Sequence, residues 1–235
     1  MITTMMLRKL FAIAWCLWIL AGANSYAEVP ANAPVAVNES PLITRARKVL
    51  ETMKVTTYVH TTDIKEDAGE YHCDCSGLIT YLLKKELPAH YKAVVFPVKF
   101  KHPRASDFTD WFASLPAQVE AGKLWHKVEN LTDAKAGDLL AWRKDPVPPT
   151  GNTGHIVLID GAPKRVAEGI YSVEVIDSTT AGHENDTRKK GETGVGRGTI
   201  YVKVDAAGRP VARAARSQEG PWTESPTAIG RTVIK

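Results

Sequence analysis

Three residues with reactive side chains, a cysteine, a histidine and an aspartate, each fall where a regular element starts or ends. Cys75 lies in Tyr71-His72-Cys73-Asp74-Cys75-Ser76-Gly77-Leu78-Ile79-Thr80-Tyr81-Leu82-Leu83. Apolar residues at 78, 79, 82 and 83 have helical spacing, while the residues before Cys75 are polar and lack that period. The cysteine therefore opens a helix. Free backbone N–H groups and the positive end of the helix dipole favour a thiolate there, so the thiol is expected to ionise below the ordinary value of about 8.5. Asp74 is placed to cap the helix, although its charge opposes the same thiolate. The bland alternative is a small buried apolar residue. A partner elsewhere in the chain decides between them.

Histidines stand at 60, 72, 90, 102, 126, 155 and 183. His155 opens the run Ile156-Val157-Leu158-Ile159, directly after Gly154, and so sits on a rigid strand. A base on a strand and a nucleophile at a helix end can be held at hydrogen-bond distance by core packing alone. A third group should accept from the other imidazole nitrogen, and Asp177, closing the alternating run Tyr171 to Ile176, is placed to do so from a neighbouring strand.

The elements around these residues follow from local signals. With 235 residues, the chain has enough length for one full core. Residues 1–27 read as a secretory signal: Arg8-Lys9, then the thirteen-residue apolar run from Leu10 to Gly22, then Ser25-Tyr26-Ala27 as a cleavage site. That run is short of the ~20 residues needed to span a bilayer, so no membrane anchor is expected after cleavage. Cleavage removes Cys16 and two basic residues, taking the formal charge from +4 to +2, which gives no sign of a nucleic-acid partner. Cys73 and Cys75 remain; two residues apart, they are a poor disulfide pair even in an exported protein. Residues 28–39 read as a flexible lead-in.

Ser40-Pro41 starts a helix with Leu42, Ile43, Ala46, Val49, Leu50 and Met53 on one face. Residues 55–60 read as extended and the central helix should end near Leu87, before Pro88. Residues 89–103 show no period. Ser106 is expected to cap a helix carrying Phe108, Trp111, Phe112 and Leu115 that forms an accessory wall, stopped by Pro116. Strands are expected at 124–128, 139–143, 155–159, 171–177, 199–204 and 211–214, with residues 178–197 a long loop and 217–235 a loose tail. Helices first and strands later argue for an α+β domain over 40–216, with N-terminal helices packed on an antiparallel β-sheet.

Asp74-Cys75-Ser76-Gly77-Leu78 at a helix start, Ala136-Gly137-Asp138-Leu139-Leu140, and Gly154-His155-Ile156-Val157-Leu158-Ile159, in that order, resemble the NlpC-type family of papain-like bacterial cell-wall cysteine peptidases. The resemblance spans roughly residues 41–205. It implies a papain-like fold, Cys75 as nucleophile, His155 as base and Asp177 as the polar residue that orients it, with His183 as an alternative third residue. It implies that Tyr58 helps bind the oxyanion and that Asp74 and Ser76 help hold a substrate amine. It also implies hydrolysis of an amide in peptidoglycan stem peptides, in the periplasm or outside the cell. Val59-His60-Thr61-Thr62 replaces the paired glycines that usually follow the family's tyrosine, and the family's third residue is more often His, Asn or Gln than Asp.

The expected partner is peptidoglycan or a peptide amide, with no cofactor and no bound metal, acting as a monomer. Three rivals stand beside this reading. His72, Cys73 and Cys75 are clustered as zinc ligands would be, but lack the C-x-x-C spacing and a second cysteine pair. A wall-binding or partner-binding module without turnover would keep the fold. A thiol acyltransferase would pass the thioester to an amine or alcohol. Scattered tryptophans and the basic run Arg188-Lys189-Lys190 are read as core, rim and solvated loop.

Overall fold

The computed structural model describes residues 39–98 and 102–234; the expected signal segment and the lead-in up to residue 38 lie outside the described residues. Helix α1 (Pro41–Thr52) starts with Pro at its first position and buries Leu42, Ile43, Ala46 and Val49, the face that the spacing marks out. Ser40 holds the cap position but its hydroxyl makes no capping bond. The stretch between α1 and Cys75 is more regular than expected. Strands β1 (Val55–Thr57), β2 (Asp63–Lys65) and β3 (Glu70–His72) form a small sheet, β1 parallel and β2 antiparallel to β3.

Helix α2 (Cys75–Glu86) begins at the cysteine and ends with Leu87 at its C-cap, before Pro88. Leu78, Ile79, Leu82 and Leu83 are almost wholly buried, each side chain contributing about 1.5–3 kcal/mol on burial. That packing fixes the position of the helix start. Residues 88–98 form a further helix, α3 (Pro88–Val98), although they show no apolar period. Helix α4 (Ala105–Ser114) is capped by Arg104, whose backbone N–H donates to Asp107 Oδ2 at 2.8 Å, and not by Ser106, which lies inside it. Phe108 and Phe112 are fully buried, so α4 belongs to the core and is no accessory wall.

The remaining strands are β4 (Trp125–Val128), β5 (Leu139–Arg143), β6 (Gly154–Ile159), β7 (Lys164–Ala167), β8 (Ile170–Thr179), β9 (Gly194–Val204), β10 (Pro210–Ala214), β11 (Thr223–Glu224) and β12 (Thr227–Thr232). They make one antiparallel sheet in the order β11-β10-β9-β8-β6-β5-β12-β4, with β7 also on β8. The protein is thus an α+β fold of helices on an antiparallel sheet. Alternation along β6 sends Ile156 and Leu158 into the cluster under the helices, and Val157 and Ile159 into a second cluster with Leu140, Trp142 and Val175. The sheet curls around this second cluster. Arg213 on β10 lies 4.4 Å over the ring of Trp142 on β5, although β9, β8 and β6 separate the two strands in sheet order.

Residues 217–235 are not a loose tail, because β12 inserts between β5 and β4 and pairs with both. Asp138, nearly fully buried, receives Arg231 Nε and Nη2 at 2.7 Å each, so the Gly137-Asp138 turn clamps β12. The loop expected over 178–197 is shorter: β8 runs through Thr179 and β9 resumes at Gly194. Among the described residues, no helix is long and apolar enough to cross a membrane.

Candidate active site

Cys75 stands at the first position of α2. The Asp74 side chain caps the helix by accepting from Gly77 N at 2.7 Å, and its Oδ1 also accepts from Ser76 Oγ at 3.0 Å. Cys73 and Cys75 are both free thiols. Cys73 is fully buried, and burial is the main cause that pushes its pKa up to about 12. Its carbonyl accepts from Ser178 Oγ at 2.6 Å, tying the residue to the sheet. Cys73 is structural.

His155 is delivered by Gly154 and β6. Gly154 has φ +151°, and a Cβ there would sit 2.0 Å from the Trp142 carbonyl oxygen. Only glycine allows β5 and β6 to approach this closely just before the histidine. Trp142 is the register partner of His155, and the two rings lie 5.2 Å apart at 45°. His155 Nε2 donates to Asp177 Oδ2 at 2.6 Å. With Nε2 occupied, the nitrogen left for the Cys75 thiol is Nδ1. Burial pulls the imidazole pKa down, but the negative charge of Cys75, the bond to Asp177 and the hydrogen bond with Cys75 outweigh it and raise it to about 10. An imidazolium facing a cysteine sulfur is the arrangement an activated thiol needs.

Asp177 is fully buried yet charged. Its Oδ2 accepts from His155 and also from His183 Nε2 at 2.8 Å, and its Oδ1 accepts from Arg188 Nη2 at 3.0 Å. Burial alone would raise its pKa; the hydrogen bonds from the two histidines hold it well below the ordinary carboxylate range. Arg188 is held in turn by Asp186 and by the Gly194 carbonyl. Asp177 therefore orients His155. His183 does not take its place; it shares the same carboxylate oxygen, Oδ2, with His155.

Tyr58 follows β1 with its backbone N–H on Thr193 Oγ1 at 3.2 Å. Burial and the charges of Cys75, Asp74 and Asp177 hold its hydroxyl protonated far above the usual phenol value, so it remains a donor beside the thiol. Asp74 and Ser76 line a groove of about 590 Å³ with His60, Thr61, Thr62 and His102, beside the start of α2. His60 Nδ1 lies 3.3 Å from Asp74 Oδ2, so the segment after Tyr58 reaches the groove.

The structure thus brings Cys75, His155, Asp177 and Tyr58 to one place, with Asp74 and Ser76 on its flank. Sequence reasoning missed Arg188, read as part of a solvated loop but almost fully buried on Asp177. It also missed Trp142, whose link to His155 exists only through strand register. Among the described residues, the His/Cys/Asp/Glu set close enough to share an ion is His155, Asp177 and His183, not His72, Cys73 and Cys75. Its separations of 2.6 and 2.8 Å are hydrogen bonds, and Arg188 already supplies the positive charge on Asp177. Comparison of the chain with protein-family models, curated proteins and solved structures finds no match.

Proposed function

We propose that the protein is an exported cysteine hydrolase with a papain-like fold of the NlpC type, cleaving an amide bond in peptidoglycan stem peptides. The observation that carries this reading is the relay from Cys75 through His155 to the buried, charged Asp177. Neither a purely structural cysteine nor a binding module requires an imidazolium against a sulfur, backed by a carboxylate that two further cationic or N–H groups hold in place.

In the proposed reaction the Cys75 thiolate attacks the amide carbonyl carbon. The oxyanion forms beside the Cys75 backbone N–H at the helix start, with the Tyr58 hydroxyl as second donor. The imidazolium of His155 gives its Nδ1 proton to the nitrogen, the C–N bond breaks and an amine leaves, with a thioester on Cys75. Neutral His155 then takes a proton from water, the resulting hydroxide attacks the thioester, and the C–S bond breaks to release a carboxylic acid and restore the thiolate. Asp177 keeps Nε2 protonated throughout, which presents Nδ1 to the reacting atoms.

The test is incubation of the mature protein with purified muropeptides, followed by mass analysis of the products. The expected result is fragments that together exceed the substrate by one water, lost in Cys75→Ser and in His155→Ala. Intact muropeptides, or cleavage that persists in Cys75→Ser, would overturn the reading. Products joined to an added amine in preference to water would favour acyl transfer.

A further inference from the structure

Beyond Trp142 and His183, at the end of the curled sheet, lies a cavity of about 360 Å³ that the relay itself does not use. Trp142, Ile200 and Pro221 give it apolar walls, and Arg213, Arg216 and His183 give it polar ones. Two features of this lining have no explanation in the fold.

The first is Arg213. Its guanidinium stacks on Trp142 and donates to Ser225 Oγ at 2.6 Å, and among the described residues it forms no ion pair with a carboxylate. Loss of solvent is the cause that lowers its pKa to about 10, with no neighbouring anion opposing it. Other partly or fully buried arginines here, Arg45, Arg188 and Arg231, all meet carboxylates. A desolvated guanidinium without a counterion is a standing demand for an anion. Arg216 adds a second positive side chain, with Nε on the Gly182 carbonyl at 3.0 Å.

The second is His183. Its side chain is 5% exposed; Nε2 is used on Asp177, while Nδ1 is buried with no hydrogen-bond partner among the described residues. Nδ1 has almost no accessible surface, so the ring serves the cavity as a wall. A guanidinium over an apolar floor matches an amino-acid unit: a carboxylate and a side chain of modest size.

We infer that this cavity binds the free carboxylate end of the segment that leaves in the cleavage, with Arg213 taking the carboxylate and Trp142, Ile200 and Pro221 packing on the side chain beside it. This rests on the hydrolase reading. In that reaction the leaving nitrogen forms at the His155 ring, so the leaving segment starts there; Trp142, packed on that ring, is also a cavity wall. The cavity adjoins an open groove of about 700 Å³ that shares Arg213 and runs along Arg143, Lys144 and Ser225, with room for a branched or longer leaving segment. The site therefore selects substrates whose leaving part ends in a carboxylate close to the scissile bond.

Binding is measured on the Cys75→Ala protein, in which no turnover occurs, by NMR titration with N-acetylalanine and N-acetylalaninamide, each as both enantiomers. One enantiomer of the acid is expected to bind at least about tenfold more tightly than its amide, the ratio a charge-assisted bond supplies. Arg213→Gln should remove that preference and Arg213→Lys restore part of it, with thermal melting used to verify that each variant is folded. Equal binding of acid and amide to the Arg213-containing protein overturns the inference without any variant, and acetate binding as tightly as the acid would also overturn it. Turnover separates this from the hydrolase reading. If the Cys75-containing protein cleaves a peptide and its C-terminal amide at equal rates while Cys75→Ser cleaves neither, the hydrolase stands and the carboxylate site falls.

Discussion

Replacing Asp177 by asparagine keeps the shape of the side chain and removes the charge on which three donors converge. His155 Nε2, His183 Nε2 and Arg188 Nη2 lie at 2.6, 2.8 and 3.0 Å from a fully buried carboxylate. Breaking a buried charge pair from one side destabilises by about 3–5 kcal/mol. Arg188 retains Asp186, so the expected loss is at the lower end, about 3 kcal/mol. The pH dependence has a definite sign. Asp177 has a depressed folded pKa: burial opposes this, and the bonds to His155 and His183 prevail. Its contribution is complete above the unfolded carboxylate value of about 3.9 and is lost as pH falls through the folded value. His155 has a raised folded pKa of about 10, where burial is outweighed by Cys75 and Asp177. Its contribution is complete below the unfolded value of about 6.5 and is lost as pH rises toward 10, with a limiting slope of about 1.4 kcal/mol per pH unit. Urea unfolding followed by tryptophan fluorescence should therefore show the largest gap between the parent protein and Asp177→Asn near about pH 5–6, shrinking steadily above about pH 7. A gap under about 0.5 kcal/mol at every pH, or one that widens as pH rises, would refute the charge account of this cluster.

Other outcomes follow from single contacts. Arg231→Met removes the clamp on buried Asp138 and should lower stability by about 3–5 kcal/mol, seen as a fall in Tm of about 8–15 °C; a shift under about 2 °C would mean that β12 is held by its ladder alone. Gly154→Ala puts a methyl 2.0 Å from the Trp142 carbonyl, so the strand start must move and carry His155 with it. Stability should drop by about 2–4 kcal/mol and muropeptide cleavage by more than about tenfold, measured by melting and product yield. Brief treatment of the native protein with iodoacetamide near neutral pH should modify Cys75 ahead of Cys73, whose thiol is buried and pushed up to about 12; peptide mapping that finds Cys73 modified first would contradict this.

Residues whose role is set by local rules were legible in the sequence, and residues whose role is set by distant pairing were not. Cys75 at a helix start could be read from the change of period at that point, and His155 from the β-branched run it opens. Asp177 followed from strand order, because the strands carrying the two residues are neighbours in the sheet. By contrast, the segment Thr227-Ala228-Ile229-Gly230-Arg231-Thr232 holds two apolar residues and one glycine, too little signal for a strand. It becomes one because Asp138, 93 residues earlier, takes its arginine and because β5 and β4 both lack another partner on that side. Arg188 lies in a glycine-rich, charged stretch that reads as solvated, and only folding shows that its head is buried between Asp177 and Asp186. Helix α3 has no single apolar face to betray it. The curl that brings Arg213 over Trp142 is a property of the whole sheet, so no window of sequence contains it.

The central claim is that the sulfur of Cys75 takes the acyl group from an amide. Intact-mass measurement of the protein, mixed with a stem peptide and quenched in acid within its first turnovers, tests that most directly. The account predicts a fraction of chains heavier by the acyl fragment, with the added mass mapped to Cys75, released by hydroxylamine and missing from Cys75→Ala. Peptide cleaved while every quenched chain keeps its unmodified mass, and cleaved equally by Cys75→Ala, would contradict it.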